Sequence, residues 1–203
     1  MNLKLFGSFR YEYFVLLFAL LSCMNDIPGE PKKRVQEYIT AVQKGDFETI
    51  YRLHRVTAQQ KKYLEQTEGG DLKELMKQNY ERNKASYESV KPSFMDNIQW
   101  AEKYFFPPSC SPSVGEPQKP APATKDDPGY ADYEKALTTM VPVSVTYNSE
   151  KDAPQLSGRK LKFAKYICIL GKIREGSNVR IYSHDDQWFF NGCIPDSNSV
   201  RFF

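Results

Sequence analysis

The residues able to do chemistry in this 203-residue chain are few: four cysteines, two histidines, and acids scattered among lysines. His54 lies on the same helical stripe as Phe47, Ile50 and Tyr51, following the i, i+3, i+4, i+7 rule. An imidazole beside a phenol there offers two polar contacts to a pocket; the plainer alternative is a satisfied, partly buried histidine. Trp188 is either core packing or an aromatic wall for a ligand, and both can hold in a small cavity. His184 stands beside Asp185 and Asp186, but the spacing supplies no further ligands, so no metal site is expected. No phosphate loop, zinc-binding helix or nucleophile elbow is present. No catalytic residue and no cofactor are therefore assigned. The candidate pocket is Tyr51, His54 and Trp188.

Cys23 is the exception, because its neighbours specify a reaction. It closes Leu20-Leu21-Ser22-Cys23, with Leu three places before it and a small residue directly before it. This resembles the bacterial lipobox. In that class the thiol is joined to diacylglycerol, the chain is cut, and Cys23 becomes the first residue, its amino group often acylated as well with a palmitate-type chain. Each buried CH₂ contributes about 0.8 kcal/mol, so two or three chains anchor stably where one does not. The alternative is an ordinary signal peptide with an incidental cysteine.

The preceding residues fit export. Lys4 and Arg10 are followed by an apolar run over 13–21, interrupted on its N-terminal side only by Glu12. Nine helical residues cover about 14 Å, against ~30 Å of hydrocarbon, so the run is too short to span a bilayer. Residues 1–22 read as a signal peptide, 23–30 as a lipidated tether, and 31–203 as one domain. Met24, not Asp, follows the cysteine. In Gram-negative lipoproteins that favours the outer membrane over the inner. The terminal Phe202-Phe203 hints at a β-rich outer-membrane component, but one short hairpin region cannot build a barrel.

Net charge is +3, and the basic clusters Lys32-Lys33-Arg34 and Arg159-Lys160-Leu161-Lys162 read as solvated surface. No nucleic-acid motif accompanies them, so no nucleic-acid partner is expected; the expected partner is the membrane, through the lipid anchor at Cys23.

Within the domain, Pro31 starts a helix whose stripe is Val35, Tyr38, Ile39 and Val42. Gly45 ends it and Asp46 caps the next. A third helix follows a capping box at 57–60, and a longer one runs from Asp71 towards Val90. Phe94, Ile98, Ala101 and Phe105 line one face of a further helix. Seven of the 22 residues over 107–128 are proline, which predicts a loop or inserted linker outside the core.

The period then changes to two. Val141, Val143 and Val145 give a strand into Tyr147. Leu161, Phe163, Ile167, Ile169 and Ile173 form an apolar odd-numbered set, predicted to face inward. A three-residue turn at 174–176 would pair Ile169 with Ile181, and a loop at 184–187 would set Phe190 opposite Ile181. The opposite face then carries Tyr166, Cys168, Leu170, Arg180, Tyr182 and Phe189, a surface that could serve a homodimer. In that register Cys168 and Cys193 lie two strands apart, roughly 16 Å, against a limit near 7 Å for a bridge. No Cys168–Cys193 disulfide is expected. With Cys23 lipidated, Cys110, Cys168 and Cys193 remain, an odd number. Cys110–Cys193 is reachable through the proline-rich loop, without positive support.

Helices followed by an antiparallel meander give an α+β fold. The stretch from Pro31 through Val35, Tyr38-Ile39, Ala41 and Lys44-Gly45-Asp46-Phe47 to Ile50-Tyr51 and Leu53 resembles the start of the nuclear transport factor 2-like superfamily, particularly its bacterial lipoproteins. Val179, Ile181, Asp186, Trp188 and Phe190 resemble its last hairpin, with Asp186 where glycine is common. The resemblance covers about 31–56 and 140–194. It implies N-terminal helices packed on a curved antiparallel sheet that encloses a cone-shaped cavity. Members range from isomerases and dehydratases to binding domains, so it leaves function open. Its enzymes place an Asp, or an Asp–His pair, in the cavity, and no equivalent is evident here. The expectation is a membrane-anchored envelope lipoprotein that binds or scaffolds; the alternative is a small-molecule-binding protein or enzyme using the cavity.

Overall fold

The computed structural model describes residues 31–54, 72–92, 94, 99–122, 137–172 and 188–203. The signal, Cys23 and its tether, the capping box at 57–60, and the turns and strand expected over 173–187 lie outside the described residues.

Helix α1, Pro31–Lys44, buries Val35, Tyr38, Ile39 and Val42, as their spacing predicts, together with Arg34 and Ala41. Burial of Arg34 corrects the reading of 32–34 as wholly solvated. Gly45 takes a φ of 66°, a conformation costly for a residue with a side chain, and ends α1. Asp46 accepts the Thr49 amide at 3.1 Å and so caps α2, Phe47–Leu53. Its carboxyl is held below the ordinary carboxylate range by these hydrogen bonds from Thr49, with Arg52 and Lys44 adding attraction. Helix α3 spans Leu72–Ser89, and α4 is a single turn, Glu102–Phe105.

An open antiparallel sheet of six strands completes an α+β fold. The strands are β1 Cys110–Val114, β2 Ala121–Pro122, β3 Leu137–Tyr147, β4 Gln155–Leu156, β5 Arg159–Lys172 and β6 Trp188–Phe202. β1 and β2 share one edge of β3, and β5 takes the other. β6 lies directly on β5, and β4 pairs with the start of β5.

Three expectations are corrected. The proline-rich stretch is not all loop: Cys110–Val114 pairs with Val143–Tyr147, and Cys110 is buried. Pro112 is tolerated because β1 is an edge strand, where a missing donor can face away from the ladder. β5 buries mainly the opposite face from the one predicted, although Leu161 and Ile169 are buried as expected. Ala164, Tyr166, Cys168 and Leu170 are buried in the core, while Phe163 and Ile167 are only half-buried. The pairs Val141–Cys168, Val143–Tyr166 and Val145–Ala164 set that register, and irregularities between Leu161 and Lys165 break the simple alternation. The face assigned to a homodimer is thus largely core; the true outer face carries Met140, Ile167 and Ile194, of which Met140 and Ile194 are exposed.

The third correction concerns the cysteines. Cys168 and Cys193 stand opposite each other on neighbouring strands and form a disulfide, with Cα atoms 4.0 Å apart. The expected separation failed because it placed another strand between β5 and β6. Cys110 is a free, buried thiol, so it is not bridged to Cys193.

Candidate functional site

The helices meet the sheet through aromatic rings. Tyr38 of α1 stacks on Phe190 of β6 with ring centroids 3.6 Å apart. Both are fully buried, and burying such a ring contributes roughly 2–3 kcal/mol before packing is counted. His54, the residue ending α2, sits beside them. Its backbone bridges in parallel to Phe190, and its ring lies 4.6 Å from Trp100, 6.1 Å from Phe190 and 6.2 Å from Tyr38. Histidine thus belongs to the interior, as its stripe predicts, but its neighbours there are aromatic rings.

The three predicted pocket residues, Tyr51, His54 and Trp188, are all buried. Tyr51 is buried towards α3, 5.3 Å from Tyr80 and 5.8 Å from Phe47. Trp188 is buried at the start of β6, opposite Lys172. It is Phe190, two residues further on, that meets His54. A cleft of about 480 Å³ among the described residues is lined by Phe94, Tyr104, Pro108, Asp152, Pro154 and Lys160.

Two residues missed in the sequence dominate the chemistry of this interior. Trp100 is fully buried and has a φ of 72°, an unusual conformation for a bulky residue. Phe47 and Tyr87 pack edge-on against it at 5.6 and 6.1 Å. Its indole Nε1 has no hydrogen-bond partner among the described residues. Backbone strain of this kind collects where the surroundings over-determine a conformation, functional sites included.

Glu102, two residues on, opens α4 and is buried. Its Oε1 accepts the Cys193 amide at 3.1 Å, and its Oε2 has no partner among the described residues. The sheet makes room for it. Pairing of β5 with β6 is irregular between Ile169 and Leu170, where Gly192 and Phe190 are the respective partners and Asn191 is the extra residue. Gly192 has a φ of 131°, and a Cβ there would stand 3.2 Å from Glu102 Oε1. Burial raises the Glu102 carboxyl from its ordinary value near 4.5 to about 7, against hydrogen bonds from its own backbone and from Cys193 that pull it down. Glu102 can therefore hold or release a proton near neutral pH. The signal for it was present: it falls four residues after Ile98 and three before Phe105, on the edge of the apolar stripe.

A second buried polar group ties α4 to the sheet. Tyr147 Oη donates to the Phe105 carbonyl at 3.1 Å and shares a hydrogen bond with Tyr166 Oη. Burial pushes both phenols far up. It also pushes the Cys110 thiol up to about 11, leaving it protonated and a poor nucleophile. Among the described residues, no group of His, Cys, Asp and Glu is arranged to hold a metal ion.

No protein-family model, curated protein or solved structure matches the chain.

Proposed function

We propose that this chain is an exported bacterial lipoprotein. Residues 1–22 are its discarded signal, Cys23 carries the acyl groups, and 23–30 tether a single domain, 31–203, outside the membrane. If the cell is Gram-negative, Met24 favours the outer membrane. The domain binds or scaffolds and has no chemistry of its own. Its finer architecture, in this reading, is the nuclear transport factor 2-like arrangement of helices wrapped on a curved sheet.

The observation carrying export is the disulfide between Cys168 and Cys193, buried in the sheet. Such bonds persist in oxidising compartments and are rare where glutathione and thioredoxin keep thiols reduced. The observation supporting binding over catalysis is the aromatic packing around His54. Where a cone cavity would open beside His54, Tyr38 is stacked on Phe190 and Trp100 is fully buried. A second copy would use the outer sheet face, where Met140 and Ile194 are exposed.

Glu102 favours a second reading, a small-molecule-binding protein or an enzyme of isomerase or dehydratase type. A buried acid able to exchange a proton near neutral pH is the group whose absence argued against catalysis.

Trapping thiols by alkylation in intact cells tests export. The expected result is one reactive thiol in the mature domain, Cys110, after unfolding, with Cys168 and Cys193 protected until reduction. Three reactive thiols in the mature domain would overturn the reading.

A further inference from the structure

Glu102 joins the single turn α4 to β6. It lies at the start of α4, directly after the strained turn at Trp100, and its side chain reaches the irregularity between β5 and β6. There its Oε1 accepts the amide of Cys193, a residue fixed to β5 by the disulfide. The contact is a strut between a single-turn helix and the covalently braced part of the sheet.

The strut is electrostatically exposed to its own ionisation. Among the described residues, Tyr38 of α1 and Tyr87 of α3 are titratable groups that feel its charge, and burial holds both phenols protonated, Tyr87 with a pKa of about 12. From the sheet it meets Cys193, which is disulfide-bonded and does not titrate. From α2 the imidazole of His54 touches Trp100, two residues before it. Lys103, its neighbour in α4, is turned away to the Tyr87 and Glu88 carbonyls at 3.0 and 3.3 Å. Among the described residues no cation pairs with Glu102. Ionising it would strengthen the hydrogen bonds from the Cys193 amide and its own backbone, but would leave a fully buried negative charge with no cation and, among the described residues, no partner on Oε2. A buried charge in that position is relieved by admitting water or by moving out.

We propose that Glu102 is a pH-operated latch: while protonated it holds the Trp100 turn and α4 closed on the β5–β6 irregularity, and its ionisation loosens that contact. The interior aromatic cluster is the part released, because Trp100 is both the residue leading into α4 and the ring packed on His54 and Phe47. Binding at this end of the domain would then follow external pH.

Amide hydrogen exchange on the purified full domain tests it, at pH 5.5 and pH 8, corrected for the intrinsic pH dependence of exchange. Residues 100–106 and the Cys193 amide should exchange on the order of tenfold faster at pH 8, since ionisation favours the open form. The centre of β3 should not change, and the Glu102→Gln protein should show no difference between the two pH values. Equal protection of 100–106 at both pH values would overturn the latch. So would persistence of the effect in Glu102→Gln, which would assign it to His54, or a uniform rise across the whole sheet, which would make it global unfolding.

Discussion

Glu102 and Cys193 lie 91 residues apart in sequence and meet through a 3.1 Å hydrogen bond, on the strand that the disulfide fastens to its neighbour. Polar and covalent constraint thus converge at one irregular point of the sheet. The aromatic interior is assembled around it.

The cost of the buried acid can be measured. Below its ordinary value near 4.5, Glu102 is protonated in both folded and unfolded chains and contributes no penalty. As pH rises from there to about 7, the unfolded chain ionises and the folded one does not, so stability falls across that window. A shift of this size corresponds to about 3 kcal/mol at most. Glu102→Gln should therefore gain stability at pH 8 and little at pH 4.5 in urea unfolding. Equal gains at both values would show that the carboxyl is not ionisation-linked.

The disulfide joins residues 25 apart in sequence. Closing a loop of that length stabilises by roughly 3 kcal/mol in the chain-entropy model. Replacing Cys168 and Cys193 together by alanine should lower the denaturation midpoint accordingly. A peptide map of the untreated protein should show the 168–193 link, and a Cys110 link in its place would refute the strand register.

Two glycines separate backbone strain from crowding. Gly192 and Gly158 both have positive φ, 131° and 78°, but a Cβ at Gly158 meets nothing within 4 Å, while one at Gly192 meets Glu102. Alanine at either position should cost about 1–3 kcal/mol from strain. Gly192→Ala should cost more than Gly158→Ala, and it should weaken protection of the Cys193 amide. Equal costs with unaltered Cys193 protection would mean that Glu102 does not need the space.

The Tyr38–Phe190 stack fills the interior next to His54. Phe190→Ala should destabilise by about 3–5 kcal/mol, the range for losing a buried aromatic. A loss below 1 kcal/mol in chemical denaturation would argue that this space is open or readily refilled.

Much of the scaffold was legible because its signals are local. The stripe of Val35, Tyr38, Ile39 and Val42, the stop at Gly45, the cap at Asp46 and the alternation through Val141, Val143 and Val145 all stand as read. β5 was misread because both its faces are apolar: Phe163, Ile167 and Ile169 compete with Tyr166, Cys168 and Leu170. Only the long-range partners on β3 decide between them, and irregular pairing hides the period. The same misreading concealed the disulfide, whose partners depend on which strand neighbours β5. His54 was rightly placed on a buried stripe, but its partners Trp100 and Phe190 come from distant segments. Glu102 was passed over because a charged residue near an apolar stripe ordinarily points to water. What reverses that here is a donor supplied by β6, the Cys193 amide, which helical spacing does not encode.

Lipid attachment at Cys23 is the claim on which the proposed function rests most heavily. Cells expressing the full chain should be fed a labelled fatty-acid precursor, comparing wild type with Cys23→Ala. The wild-type protein should carry label and stay with the membrane; the variant should carry none and no longer fractionate as a lipid-anchored protein. Unchanged label and membrane attachment in Cys23→Ala would contradict the account.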